Sequence, residues 1–354
     1  MKIVLSTGET FFGFGPGRTA VGELIFNTSM VGYQEILSDP SYAGQIVVMT
    51  YPLMGQYGMT DDDYESKTVG PEAIVTREIC STPSNFRSTR TLEEFLCEKG
   101  IASLEGVDTR ALTALIRDNA PLEAAIVPED TPVEEALRLI ASRPRPEDAV
   151  ERVSCSTRWF SRTPNHTYDV VIVDCGLKKS IVTELNSRGC NVTVVPCKAS
   201  ASDILAFKPD GLLLSSGPGN PRKLGDIVQT VNELKGKLPI CGIGLGHQII
   251  ALSYGAEIIS LGCGHHGEHP VRDLQSGRIF TAEHNHVGSV DRASLKGTPL
   301  SVTFEDVVDG TIEGLECSKD LVYSCEFTPE GCPGPQESEF FGKFIKLMEE
   351  SRNA

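Results

Sequence analysis

Between Tyr168 and Ile243 the chain alternates apolar runs with amphipathic ones: "YDVVIVD", "KKSIVTELNSRG", "NVTVVP", "ASDILAF", "DGLLLSS", "GDIVQTVNELKG" and "LPICGI". The apolar runs are continuous rather than alternating, as strands buried on both faces of a parallel sheet must be. Strands joined by helical crossovers at this spacing imply a doubly wound, mostly parallel α/β sheet. Ligands of such sheets bind beyond the carboxyl ends of the strands. The loops expected to carry chemistry are therefore "SSGPGNP" (215–221) and "GIGLGHQ" (242–248).

The first half has a different texture. "MKIVLS", "GELIFNTSM" and "QIVVMTYPL" read as strands separated by glycine turns, and "TLEEFLCEKG", "RALTALIRDN" and "PVEEALRLIASR" read as helices. This is a β-rich α/β pattern. A length of 354 residues exceeds one ordinary domain. The proline-rich, mixed-charge stretch 143–167 lacks periodicity, so the expected division is a domain at 1–145, a linker at 146–167 and a second domain at 168–354.

Composition excludes some partners. A net charge of −16 argues against wrapping nucleic acid, which needs a basic face. The apolar runs are far too short to span a bilayer, and the amino terminus lacks a signal-peptide core. The expectation is a cytoplasmic protein with no membrane and no nucleic-acid partner. Its eleven cysteines form no CxxC pair, so they are expected to be reduced, many of them in apolar cores.

"GIGLGH" (242–247) is not a phosphate loop: its spacing is G-x-G-x-G, it follows the fourth strand of the domain, and no Walker lysine follows. A strand, a sharp turn with small neighbours and then a helix suit a nucleophile elbow better. Yet no nucleophile stands there.

The motifs in order carry a family resemblance. "GELIFNTSMVGYQEILSDPSYAGQIVVMTYPLMGQYGM" and "GVDTRALTALIRDN" in the first half, then "SSGPGNP", "GLGHQ" and "TPEGCPGP", resemble the small subunit of carbamoyl phosphate synthetase over nearly all of the chain. The second half is similar to a class I glutamine amidotransferase domain. The resemblance implies hydrolysis of glutamine and delivery of ammonia to a large subunit. It implies no cofactor in this chain, with ATP and magnesium confined to that partner. Whether the arginine or the pyrimidine pathway is served stays open.

Carried over residue by residue, the resemblance shows a loss. The family elbow reads G-I-C-L-G-H-Q, and its attacking cysteine is here Gly244. The family F-H-P-E is here "FTPE": Thr328 stands for the histidine base, and Glu330 survives as the residue that would orient it. The family N-H-G-F is "NHVG", with Val287 and Gly288 replacing two pocket residues. The glutamine-contacting positions carried over are Ser41, Gly217, Gly219, Leu245, Gln248 and Asn285. A tight turn after a buried strand accounts for Gly217 and Gly219 equally well.

Amide hydrolysis by this route needs a thiol or hydroxyl with a base in reach. Glycine offers neither, and removing the nucleophile of a comparable triad costs on the order of 10⁶ in turnover. The last histidine is His286, so nothing downstream replaces the base. Cys241 and Cys325 each lie three residues before a lost position, an odd offset that turns a strand side chain to the other face. Both are expected to be core thiols. Cys332 is a loop cysteine with no identified base.

"GCGHHGEH" offers Cys263, His265, His266 and His269, but adjacent histidines point apart and no second ligand cluster is obvious, so no metal site is expected. His284 and His286 read as loop or core histidines. Three functions follow: a non-hydrolytic pseudo-glutaminase subunit supporting an ammonia-using large subunit, an amidotransferase with an unorthodox nucleophile, or a protein that binds glutamine or another small amine or amino acid.

Overall fold

A computed structural model describes residues 1–67, 70–143, 149–331 and 339–353. The chain separates into two compact units, Met1–Pro146 and Glu147–Ala354.

The first unit holds strands β1 (Lys2–Leu5), β2 (Thr10–Phe12), β3 (Ala20–Asn27), β4 (Gln45–Met49), β5 (Leu53–Met54), β6 (Ala73–Val75), β7 (Glu78–Ile79), β8 (Ala102–Leu104) and β9 (Leu122–Val127). Its helices are α1 (Tyr33–Ser38), α2 (Leu92–Lys99), α3 (Thr109–Asn119) and α4 (Val133–Ser142). Seven strands form one sheet in the order β2-β1-β9-β3-β4-β6-β8. The two-residue period of a strand sorts its side chains: Ile46 and Val48 of β4 pack towards α3, whereas Val47 and Met49 pack with Phe95 and Leu96 of α2. The helix α2 begins where Thr91 and Glu94 form a reciprocal capping box, and ends at Gly100 in the left-handed region, φ +73°.

The second unit opens with α5 (Ala149–Val153) and β10 (Trp159–Ser161). The stretch expected to be a linker therefore carries regular structure among its described residues. Val150 enters the core and β10 pairs antiparallel with a neighbouring strand. Burial of a few apolar residues outweighs the proline- and charge-rich composition there.

Next come β11 (Tyr168–Asp174), α6 (Lys179–Ser187), β12 (Cys190–Pro196), α7 (Ala201–Leu205), β13 (Gly211–Leu214), α8 (Gly225–Leu234), β14 (Ile240–Ile243) and α9 (Leu245–Ser253). These are the elements that the strand–helix alternation predicts. The chain continues through β15 (Ile258–Asp273), β16 (Ile279–Val290), β17 (Ser301–Asp306), β18 (Ile312–Cys317), β19 (Val322–Cys325) and α10 (Phe340–Asn353).

All ten strands form one sheet, in the order β10-β12-β11-β13-β14-β19-β18-β17-β15-β16. The five strands from β12 to β19 are parallel, and β18, β17, β15 and β16 extend the sheet antiparallel. Apolar residues of α7, α8 and α9 cover one face (Ile204, Val231, Ile249), and those of α6 and α10 cover the other (Ile181, Phe340, Phe344). The result is a three-layer α/β unit. Sequence order reverses between β11 and β13, so the loops after these strands flank a switch point of the kind where such sheets bind ligands.

Candidate functional site

Four loops converge at the carboxyl end of the parallel strands: 175–178 after β11, 215–219 after β13, residue 244 after β14 and 326–330 after β19. The β14–β19 pairing brings Ile243 opposite Cys325, and the Gly244 N–H donates to the Cys325 carbonyl at 2.9 Å. The elbow and the stretch holding Thr328 therefore share one edge.

Gly244 has φ +54° and ψ −113° and immediately precedes α9, which starts without a side-chain cap. This backbone is sparsely populated by residues with a Cβ, and holding one there costs roughly 1–3 kcal/mol. The turn is thus a strained elbow in shape, occupied by the residue that tolerates it. A Cβ added at Gly244 would meet nothing closer than Ser216 Cβ at 3.5 Å and the Glu326 carbonyl at 3.7 Å, which is ordinary contact.

The opposite wall is tighter. A Cβ on Gly217 would lie 1.9 Å from the Cys175 carbonyl, so that loop admits only glycine. Gly219 has φ +94°. Ser215 Oγ accepts from the Cys175 N–H at 2.9 Å and donates to the Ser216 carbonyl at 2.8 Å, tying the two loops together. The buried Ser216 Oγ, beside Gly244, makes no hydrogen bond.

Of the carried-over residues, Leu245 is buried at the first turn of α9. Gln248 is committed internally: its Nε2 donates to the Gly288 carbonyl at 3.1 Å and to Glu326 Oε1 at 2.9 Å. Asn285 Oδ1 lies 2.8 Å from His266 Nδ1. Ser41 belongs to the first unit, on the 3₁₀ turn Pro40–Tyr42, where its N–H donates to Asp39 Oδ1 at 2.8 Å. Thr328 is half-buried, with its N–H donating to the Glu283 carbonyl at 2.9 Å. Glu330 pairs with Lys178 at 2.8 Å, both side chains being almost wholly excluded from water.

Three further residues escape a reading by motif. Lys178 hides in the doublet "LKKS" as an ordinary helix-start lysine, yet only 2% of it is exposed. His247 is wholly buried, with Nδ1 2.9 Å from Ser324 Oγ and Nε2 3.7 Å from Glu326 Oε2. Burial pushes His247 down to about 4, against the pull of Glu313. Burial, reinforced by Glu313, raises the Glu326 carboxyl well above the ordinary range, against the Gln248 hydrogen bond. His247 is therefore neutral near pH 7, and burial favours the protonated form of Glu326.

The two thiols nearest the elbow are core residues. Cys241 and Cys325 are wholly buried, and desolvation pushes both well above the ordinary thiol value. Cys241 packs in the same core as Phe340 and Phe344, on the far face of the sheet from Ile249. Cys332 lies outside the described residues.

Of the two places expected for His284 and His286, loop or core, the structure shows the core. His284 and His286 stand on β16, not in a loop. His265 and His266 do point apart, but the register of β15 on β16 sets His265 opposite His286, and His284 and Glu313 of β18 complete a buried group. Strand pairing thus brings together histidines that sequence spacing keeps apart. No helix among the described residues is long and apolar enough to cross a membrane.

Comparison with known proteins agrees with this architecture. The family described as carbamoyl-phosphate synthase small chain, CPSase domain, matches residues 3–126, and glutamine amidotransferase class-I matches 171–347. The carbamoyl phosphate synthase pyrimidine-specific small chain of Halalkalibacterium halodurans is 45% identical, over 99% of this chain and 98% of its own. The carbamoyl phosphate synthase small chain of Staphylococcus epidermidis is 43% identical, and that of Listeria monocytogenes 44%, each over 98% of this chain and 96% of its own.

Proposed function

The chain belongs to the carbamoyl-phosphate synthase small-chain family, and from that premise we propose that it is a non-hydrolytic subunit, a pseudo-glutaminase. It supports a large subunit that makes carbamoyl phosphate with ATP and magnesium, from free ammonia or another small amine. What carries this reading is Gly244: the elbow keeps its backbone shape, φ +54° and ψ −113°, but presents no side chain. The base position, Thr328, adds no proton acceptor suited to neutral pH, and a thiol or hydroxyl needs such a base to attack an amide. The nearby Cys241 and Cys325 are held as buried thiols, which disfavours a relocated nucleophile.

Glu330 is engaged in the buried pair with Lys178, so its retention is accounted for by packing alone. A large subunit is the partner because the family is a small chain. The test is co-expression with a carbamoyl phosphate synthase large chain, followed by purification and assay. The expected result is a stable complex that forms carbamoyl phosphate from ammonium and not from glutamine. Equal rates with the two nitrogen donors would overturn the reading.

One observation favours a retained small-molecule pocket as a second reading. Ser216 Oγ sits beside the elbow with no hydrogen-bond partner, a position from which a ligand's polar group could be held. Saturable binding of glutamine by calorimetry, weakened by Ser216→Ala without glutamate release, is its expected signature.

A further inference from the structure

Three strands of the antiparallel half of the second sheet, β15, β16 and β18, bring His265, His284, His286 and Glu313 into one group. One ligand atom from each lies within 4.8 Å of every other, and all four residues are buried. His284 Nε2 is 3.1 Å from Glu313 Oε2, His286 Nε2 is 3.9 Å from the same oxygen, and His265 Nδ1 is 3.7 Å from Glu313 Oε1.

The outer nitrogens fix how the rings are protonated. His284 Nδ1 is 2.9 Å from the Ala282 carbonyl, and His286 Nδ1 is 2.9 Å from the Gly288 carbonyl. Carbonyls only accept, so each Nδ1 carries the hydrogen. His265 Nε2 faces the Asp309 carboxylate at 2.9 Å and donates in the same way. In a neutral ring the inner nitrogen is then a lone pair. Unprotonated, those inner nitrogens face the Glu313 carboxylate as acceptor against acceptor; His284 Nε2, 3.1 Å from Glu313 Oε2, hydrogen-bonds it only when the ring carries both protons. His265 Nδ1 and His286 Nε2, on side chains 7% and 4% exposed, have no hydrogen-bond partner at all. Unpartnered buried polar atoms are costly, and here two of them aim at one point.

From this geometry we propose that His265, His284, His286 and Glu313 form a four-coordinate site for a divalent transition cation of the zinc type. Three imidazoles and one carboxylate are borderline ligands suited to such an ion. With metal–ligand bonds of about 2.0–2.1 Å, the ligand atoms of a tetrahedral site stand about 3.3–3.4 Å apart. His284 Nε2 at 3.1 Å and His286 Nε2 at 3.9 Å from Glu313 Oε2 bracket that value, and His265 Nδ1 stands 3.7 Å from the other oxygen, Oε1. The Ala282 and Gly288 carbonyls and Asp309 supply the outer hydrogen bonds that orient metal-bound histidines. Four protein ligands leave no open position, so the site is structural: it pins β15, β16 and β18 together.

A neighbouring trio, His265, His269 and Asp306, shares one ligand with this group. His269 stacks on His265 with ring centroids 4.3 Å apart and has a side chain 26% exposed, giving the ion a way in from solvent.

The full chain is stripped with EDTA, desalted, and titrated with zinc chloride by calorimetry and with cobalt chloride by visible absorption. One ion per chain is expected, with intense tetrahedral cobalt bands and a zinc-dependent rise in the thermal midpoint. His284→Gln and Glu313→Gln, checked for folding by circular dichroism, lose the cobalt bands. Asp309→Asn weakens zinc binding 10–100-fold. His269→Gln binds zinc within a few-fold of the parent. No ion bound by the parent chain, undiminished binding in folded His284→Gln and Glu313→Gln, or loss in His269→Gln alone overturns the assignment. The parent titration stands by itself should a variant fail to fold.

Discussion

Lys178 and Glu330 face each other at 2.8 Å across the carboxyl end of the second sheet, with side chains 2% and 1% exposed. One residue follows β11 and the other follows β19, so the pair ties two parallel strands that β13 and β14 separate in the sheet. A buried ion pair contributes little net stability over a packed apolar pair, but removing one partner leaves the other charge uncompensated. Lys178→Met is expected to cost about 3–5 kcal/mol, and Lys178→Met with Glu330→Leu less than that single change. Urea unfolding followed by circular dichroism compares them.

Gly244→Cys tests the shape of the elbow. Space is available, because the nearest atoms to the new Cβ stand at 3.5 Å or more. The left-handed backbone imposes the cost, roughly 1–3 kcal/mol of stability. The new thiol sits at the start of α9, where the helix dipole favours thiolate. Iodoacetamide labelling of the folded protein, mapped by mass spectrometry, should find it modified well ahead of Cys241 and Cys325. No glutaminase activity is expected until Thr328→His is added as a base.

Gly217→Ala and Gly225→Ala should separate widely. At Gly217 the added methyl meets the Cys175 carbonyl at 1.9 Å, a backbone atom that cannot step aside alone. A loss of several kcal/mol or failure to fold is expected, in the range reserved for overpacking and strain. Nothing lies within 4 Å of a Cβ on Gly225, at the first position of α8. There the smaller entropy of the unfolded alanine chain stabilises by about 0.4–1 kcal/mol. Thermal midpoints distinguish the two.

Glu326→Gln should stabilise the chain increasingly as pH rises. The folded state favours protonated Glu326, because burial and then Glu313 raise its pKa well above the ordinary 4.5. Above that ordinary value the unfolded chain releases a proton that the folded chain keeps, so stability falls as pH rises towards the folded pKa. Glutamine removes the linkage and keeps an acceptor for the Gln248 amide. His247 has the opposite sign. Its folded pKa of about 4, below the ordinary 6.5, makes its contribution fall as pH drops from 6.5 to 4. Unfolding in EDTA-treated protein should therefore show the Glu326→Gln gain most clearly at pH 7–8. A gain independent of pH would rule out this account.

The parallel core was legible because both faces of its strands are covered, which forces unbroken apolar runs such as "VVIV" and "GLLL". The antiparallel extension was not. The strand β15 runs for 16 residues, breaks register between Ser260 and His265, and spends buried positions on His265 and His266 rather than on alternating apolar residues. The departures of Gly244 and Thr328 from the motifs of the resembled family can be read from the sequence alone. The convergence of His265, His284 and His286 cannot, since it depends on which residues of β15 and β16 stand opposite each other and on the arrival of Glu313 from β18. Lys178 was missed for a similar reason: its partner is 152 positions away by subtraction of residue numbers, and only the order of strands brings them together.

The backbone of Gly244 has a consequence for reversibility. A residue with a side chain holds that turn under tension, while glycine sits in it at rest. Placing a thiol there therefore means climbing in free energy first, with a second change still needed to supply the base. Two substitutions are needed and the first carries only a penalty, so no single change at this elbow supplies both a nucleophile and its base.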